Sequence, residues 1–533
     1  MQTKIDMRDF FAKNALEQIP KILTLLDRNQ HSKTYGCFDR NYWHYRIIDF
    51  PSGMSQELVL PLALVYSLNI PGNQFYQKKI IRDWVLAGMR FAELSSHKDG
   101  SCDDYFPYEK AGGATAFSLL ACLYSYKIMG FSDRNLEAFF LKRSDWLSRH
   151  HENGRLTNHQ CLIALCLMLA SEILDTNKWE SAIEERIDRI LDWQDSEGWF
   201  HEYEGCDLGY HTLSISLLSW MYQINCQPRI LESLKRAIKF SSYFIHPDGS
   251  YGGEYSSRNT YNFFPHGFEL MANDIPEAIA INNKFLSGIR EKLVPCYSDD
   301  HIIGHHTWNY LLAWRDYKER KFHQEAVRTY EKRTWFPNAK LLVDRCGDKT
   351  LYLSLSKGGV FKLFDKKNLI VSDTHFSVMM KDGRNAVGHL IGENSFSIGD
   401  GGICVYGNLG WSKSKQMTTF NLMVLRLVML SGGRFFPDLI RGLLQKVLIT
   451  GRRDSGHTFK RMMSWTDDGE LIVSDSLESK EWDKIRSVKI GVDQTSIYVI
   501  MSRVYQPGQL RQWIDLPLST TKKGKKIHLE RVY

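Results

Sequence analysis

The chain has 533 residues, more than one hydrophobic core ordinarily serves, so two or more domains are expected. Apolar residues make up 43% and charged residues 24%, and 68 Lys and Arg against 61 Asp and Glu leave a net charge of +7, which suits an acidic partner without demanding one. No basic run exceeds Lys522–Lys526 and no zinc-finger or RNA-binding signature occurs, so the common nucleic-acid-binding classes are set aside; no window holds the ~18–20 apolar residues of a bilayer span.

Met1 to Arg8 is polar and charged, with no apolar stretch or cleavage site behind it, so the expected location is the cytoplasm. Beyond it, the first half reads as helix after helix. Leu58–Leu68, Ala116–Ile128, Gln160–Ile173 and Thr212–Tyr222 are apolar nearly all round, whereas Trp179–Trp193 is amphipathic. Buried helices alternating with half-exposed ones predict an inner and an outer ring. A short turn recurs before the buried helices, at Asp99-Gly100, Asn153-Gly154, Glu197-Gly198 and Asp248-Gly249, with glycines 54, 44 and 51 residues apart. Each interval fits one helical hairpin plus loops, the mark of a repeat architecture. Aromatic and acidic stretches follow three of the turns: Tyr105–Glu109, Trp199–Glu204 and Tyr251–Tyr255. In a closed ring these loops decorate one mouth. The 14 Trp, 25 Tyr and 28 Phe fit a large helical core first and sugar-stacking platforms second.

Residues 1–315 are therefore assigned to an (α/α) toroid and the highly charged 316–340 to a linker. Residues 341–533 are assigned to an antiparallel β-sandwich, because short runs such as Leu351–Leu355, Phe376–Met380 and Leu471–Val473 alternate with Gly, Asp and Asn turns. A helical insertion near 417–447 interrupts the strands. The ten cysteines are scattered without a CxxC pair, which predicts reduced thiols.

Four clusters can carry chemistry. Asn158-His159-Gln160 opens a buried helix, where polar groups face the ring interior or simply cap the helix. Asp207–Thr212 places Tyr210 and His211 at the start of the next buried helix, as site groups or as satisfied core groups. Glu254 through His266 packs Arg258, Asn259, Tyr261, Asn262 and His266 between two helices, and Glu254, Arg258, Tyr261, Asn262 and His266 with Glu204 and His211 form the candidate substrate-binding set. Gly388–Phe396 carries His389 before a strand, and His457 opens a later one.

These residues and the two-part organisation resemble the heparinase II/III-like polysaccharide lyases, with their alginate and oligoalginate lyase relatives. The resemblance implies a toroid joined to a β-sandwich and cleavage of uronic-acid polysaccharides by β-elimination. Asn158-His159 is similar to the pair that approaches the substrate carboxylate, and Tyr210, one repeat later, to the catalytic tyrosine. Gly388–Phe396 with Asp400-Gly401-Gly402 is similar to the family's Gly-His-x-His-x-Asp-x-x-Ser-Phe stretch, but Ile391 and Glu393 stand where its second His and its Asp fall. Only His389 carries over there, and with a histidine ligand missing no structural zinc or other cofactor is expected. The resemblance thus implies Asn158, His159, Tyr210 and His389 as catalytic residues and an acidic polysaccharide as partner. Two other readings stand beside it: a glycoside hydrolase using paired carboxylates from Asp103, Asp104, Glu109, Glu202, Glu204, Asp207 and Glu254, and a non-catalytic carbohydrate-binding protein.

Overall fold

The computed structural model describes residues 6–152, 154–203, 205–293, 295, 302–320, 331–412, 418–445, 453–491, 495, 505–506, 510–518 and 526–533. Its helical half runs α1 (Asp9–Leu16), α2 (Ile19–Leu25), α3 (Val59–Ser67), α4 (Lys79–Leu94), α5 (Gly112–Ile128), α6 (Arg134–Arg149), α7 (Thr157–Ile173) and α8 (Glu180–Asp192). After a hairpin of β1 (His201–Glu202) and β2 (Gly205–Cys206) come α9 (Leu208–Ile224), α10 (Pro228–Ser241), α11 (His266–Leu270), α12 (Pro276–Arg290) and α13 (Ile302–Arg315).

The helices sort by composition. Those apolar all round, α3, α5, α7, α9 and α13, are almost wholly buried, because no face of them can be left in water. With the short α11 they close a ring in which each packs on the next and α13 returns to α3. Amphipathic α4, α6, α8, α10 and α12 cover it from outside. No helix among the described residues is long and apolar enough to cross a membrane.

The recurring turns hold this arrangement in register. Gly100, Gly198 and Gly249 all have positive φ, and their N–H groups donate to the carbonyls of His97, Asp195 and His246. Each glycine also abuts backbone of a later outer helix: Arg143, Arg236 and Lys284, respectively. A Cβ on Gly198 would lie 2.5 Å from the Arg236 carbonyl oxygen, whereas Gly154, at φ 97°, has nothing within 4 Å. Gly198→Ala is therefore expected to cost more than ~2 kcal/mol, from strain and overpacking together, and Gly154→Ala only ~1 kcal/mol. Thermal denaturation of the two variants checks the difference.

The second half contains β3 (Arg333–Phe336), β4 (Leu341–Cys346), β5 (Lys349–Ser354), β6 (Val360–Asp365) and β7 (Asn368–Asp373), paired in that order as one antiparallel sheet. The remaining strands are β8 (Phe376–Met380), β9 (Asn385–Val387), β10 (Ser395–Gly399), β11 (Gly402–Trp411), β12 (Asp454–Trp465), β13 (Leu471–Glu478), β14 (Ile485–Ile490), β15 (Ile514–Leu516) and β16 (Lys526–Val532). They form a second antiparallel sheet in the order β15-β14-β8-β9-β11-β12-β13-β16, with β10 paired to β11. Between β11 and β12 lie α14 (Thr419–Leu430) and α15 (Pro437–Gln445), where the helical insertion is expected. The first sheet begins at Arg333, inside the stretch 316–340 expected as a linker. Its charge hid a short edge strand, in which only Phe336 is buried.

The smaller sheet is a middle layer. Leu342, Leu351, Leu353, Phe361 and Leu363 share a core with the larger sheet, while Leu341, Val343, Tyr352, Val360 and Phe364 join the helical core. Alternation along each strand sends neighbours to opposite faces, so both faces are apolar. Rings tie the halves together: Phe336 lies 5.0 Å from Phe240, and Phe364 lies 4.9 Å from His246. Between the two sheets, Arg461 of β12 donates to Asp475 at 2.6 Å, to Asp373 at 3.1 Å and to the Gly359 carbonyl at 2.7 Å. Arg531 completes this buried network, in which each of the four charges faces an opposite one.

Candidate functional site at the toroid mouth

The N-terminal ends of α5, α7 and α9 meet at one end of the ring, and their first turns set the site. Asp207 caps α9. Its carboxylate accepts from the Tyr210 N–H at 3.1 Å, from Ser256 Oγ and the Arg258 N–H at 2.9 Å each, and from the Thr260 hydroxyl. One buried carboxylate thus fixes both the helix that carries Tyr210 and the loop that carries Arg258. The residue before Arg258, Ser257, donates its N–H to the Cys206 carbonyl and completes the docking.

Arg258 is 8% exposed, and its guanidinium lies over the Tyr203 ring at 4.2 Å. Its Nε and Nη2 have no hydrogen-bond partner among the described residues. Leaving such donors unmade is costly, and a planar guanidinium is the side chain best shaped to meet a carboxylate. Next to it, the half-buried Tyr210 phenol is pushed well above its ordinary value by burial and then by Tyr203 and Asp207, with Arg258 opposing. Tyr210 therefore carries its proton at neutral pH.

Asn158 and His159, on the first turn of α7, flank two carboxyl groups of opposite character. The Asn158 N–H and Nδ2 both donate to Glu202, at 2.8 and 2.7 Å, while Asn158 Oδ1 has no partner among the described residues. Glu202 is fully buried, and burial outweighs those bonds and pushes it up to about 8. His159 Nδ1 lies 2.5 Å from Glu152. Burial of Glu152 works against its charge, but the His159 charge and hydrogen bond, with His150 and Arg441 behind them, hold it at about 2. Glu152 in turn raises His159 against the effect of its burial. Across the mouth, burial lifts Glu109 to about 7 although Arg441 opposes it.

Linkage gives Glu202 a testable signature. The folded chain holds a proton that the unfolded chain, titrating near 4.5, releases. Stability is thus expected to fall as pH rises from about 4.5 through about 8. Glu202→Gln, which keeps the neutral shape, should flatten that decline in denaturant titrations run across the window.

The structure brings Asn158, His159, Tyr210 and Arg258 to one mouth with Tyr203 and Glu202. It places the other sequence candidates elsewhere. His211 is buried, with Nδ1 accepting from the Phe200 N–H and Nε2 facing the Ala237 carbonyl; burial pushes it down to about 4. Glu254 accepts from Tyr261 and pairs with Lys362 of β6 at 2.9 Å, so both belong to the contact with the β half. Asn262 is buried in the segment leading to α11. His266 lies deep in the ring, its Nε2 2.8 Å from Asp316. Glu204 lies outside the described residues. His457 faces Ser479 in the β half at 2.9 Å.

His389 lines a cavity of about 1230 Å³ between the halves, together with His201, Gly205, Ser257, Lys357 and Tyr406. Its Nδ1 lies 2.9 Å from the Thr374 carbonyl, and burial plus the Lys357 charge push it down to about 3, so the ring is neutral. Lys357 donates to the Glu254 carbonyl at 2.5 Å and the Ser256 carbonyl at 2.9 Å, which pins this wall to the Arg258 loop.

Two site residues escaped the sequence reading. Glu152 sits just before a repeat turn, in the run His150-His151-Glu152, and that clustering was an available signal. Arg441 of α15 offered none: its Nη2 donates to the Glu109 carbonyl, 332 residues away, at 3.0 Å and to the Lys110 carbonyl at 3.2 Å. Among the described residues no group of three or more His, Cys, Asp or Glu is placed to hold a metal ion, and the described cysteines are unbridged.

No protein-family model matches the sequence, and no curated protein matches it. Several solved structures are similar to this chain over part or most of its length. A cellobiose 2-epimerase from Bacillus thermoamylovorans is similar at 10% identity over 58% of this chain and 98% of that one, with a TM-score of 0.44. The heparan sulfate lyase HepC from Pedobacter heparinus is similar at 13% identity over 92% of this chain and 73% of that one, TM-score 0.41. A heparinase III is similar at 11% identity over 91% and 71%, TM-score 0.42.

Proposed function

We propose that the chain is a heparinase II/III-like enzyme that cleaves a uronic-acid-containing polysaccharide by β-elimination, its two sheets forming the β-sandwich expected from sequence. The guanidinium of Arg258, stacked on Tyr203 beside Tyr210 with its Nε and Nη2 unpartnered among the described residues, carries this reading. A planar fork with unused N–H donors matches a sugar carboxylate, and the aromatic stack holds it rigid.

The chemistry needs that contact. Elimination removes the weakly acidic C5 proton next to the carboxylate, and the developing enolate-like charge must be met by donors already in place. Arg258 supplies them through Nε and Nη2, and Asn158 through the one Nδ2 N–H not given to Glu202, with His159 beside it. A base takes the C5 proton, the C5–H electron pair becomes the C4–C5 double bond, and the C4–O4 bond breaks. Tyr210, protonated in the free enzyme, gives its proton to the leaving O4. His389 faces the cavity beside Ser257 and takes the C5 proton once the bound carboxylate raises it from about 3, the position to which burial and the Lys357 charge push it in the free protein.

One observation favours a second reading, glycoside hydrolysis. Glu202 at about 8, bonded to Asn158, and Glu152 at about 2, bonded to His159, are one protonated and one ionised at neutral pH. Such a split supplies an acid and a base. Both readings share the anionic substrate. Calorimetric titration with a uronate oligosaccharide and its carboxyl-reduced counterpart tests that shared part: the acidic form should bind at least ~10-fold tighter, and Arg258→Gln should abolish the difference. Equal affinities for the two sugars contradict the proposal.

A further inference from the structure

The insertion between β11 and β12 has its polarity inside out. Soluble surface helices turn their apolar stripe inward. Here α14 sends its charged residue inward, with Arg426 pairing to Asp49 at 2.9 Å and lying 5.2 Å from the Phe50 ring. Of its apolar side chains only Met429 is buried. Phe420 is 72% exposed and Leu427 65%, and the patch continues through Phe435 at 68% to Leu439 at 68%. In α15 the same inversion holds: Arg441 is tucked against the Glu109 and Lys110 carbonyls while Leu439 and Leu443 face out. An apolar surface of this extent marks a binding face.

Charge selects the occupant. From Ser412 to Arg453 the sequence carries eight Lys and Arg against one acid, Asp438, and six of the eight remain when the inward-turned Arg426 and Arg441 are set aside. Two copies of so basic a segment repel each other, whereas an anionic lipid surface attracts it. Paired apolar helices with basic flanks are built to lie in the headgroup region of a bilayer.

We propose that α14 and α15 dock on an anionic membrane surface, seating Phe420, Leu427, Phe435 and Leu439 among the lipids. Because Arg441 ties α15 to the rim residues Glu109 and Lys110, docking brings the toroid mouth to the membrane. The enzyme then meets glycan chains held at a lipid surface; that last step rests on the proposed function, but the docking itself does not.

Sedimentation of the full chain with vesicles of equal parts phosphatidylglycerol and phosphatidylcholine, with no sugar present, tests the docking. The bound fraction should exceed that on pure phosphatidylcholine vesicles at least ~10-fold and fall as salt rises. The triple variant Leu427→Ser, Phe435→Ser, Leu439→Ser, altered only at exposed positions, should keep its thermal transition and lose the binding. Absence of binding, equal binding to neutral vesicles, or binding kept by the triple variant would each overturn the proposal. Self-association by light scattering that the triple variant abolishes, without vesicle binding, would assign the face to a second copy instead.

Discussion

Tyr210→Phe is expected to lower the turnover of a uronate polysaccharide by ~10²–10⁴-fold, the usual contribution of a positioned proton donor. The ring stays in place, because Asp207 holds the Tyr210 backbone N–H and not its hydroxyl. Substrate affinity and thermal stability should therefore change little, and a fall in kcat with nearly constant KM is the signature. The phenol sits well above its ordinary value in the free protein, so the variant should also lose whichever alkaline limb of the pH–rate profile belongs to this group. Arg258 bears on the same point from the other side: it opposes that upward shift, so its removal should move the limb to higher pH. Steady-state kinetics of both variants across pH tests the pairing.

The largest loss of stability is expected from Arg461→Met. The side chain is fully buried and links strands of both sheets through Asp373 and Asp475. Removing one partner of a buried network strands the other charges, at a cost of ~3–5 kcal/mol. Arg531 remains beside both carboxylates and offsets part of that cost, so the double replacement with Arg531→Met should exceed it. Asp373, held far below the usual carboxylate range against the effect of its burial by Arg461 and Arg531, gives the sign with pH. Its stabilising share is present at neutral pH and is lost in acid as the folded-state group takes up its proton. Denaturant unfolding at neutral and acidic pH checks both statements; wild-type and variant should converge as pH falls.

The helical half was legible because its signals are local. All-round apolar helices such as α5 and α7 cannot be anything but buried, and the recurrent glycine turns announce a repeat before any contact is known. The antiparallel character of the second half was legible from period-two runs, but the layering of its smaller sheet was not. Tyr352 and Leu353 alternate like an ordinary half-buried strand, and only the partner on each side makes both faces core. Asn158, His159, Tyr210 and Arg258 were readable as polar groups at the entrances of buried elements. The distinction between Tyr210, at the mouth, and His211, one residue on and turned into the helical packing, follows from helix rotation and could not be drawn from types alone. Arg441 was invisible for the opposite reason: its role depends on a helix of the β half reaching back over the toroid.

The measurement that bears most directly on the proposed chemistry is ultraviolet absorbance of the C4–C5 unsaturated product, followed while the protein is incubated with a panel of uronic-acid polysaccharides. A rise with wild-type protein that disappears in Tyr210→Phe and persists in Glu202→Gln is the expected result. New reducing ends without that absorbance, lost in Glu202→Gln and kept in Tyr210→Phe, would contradict β-elimination and assign the mouth to hydrolysis.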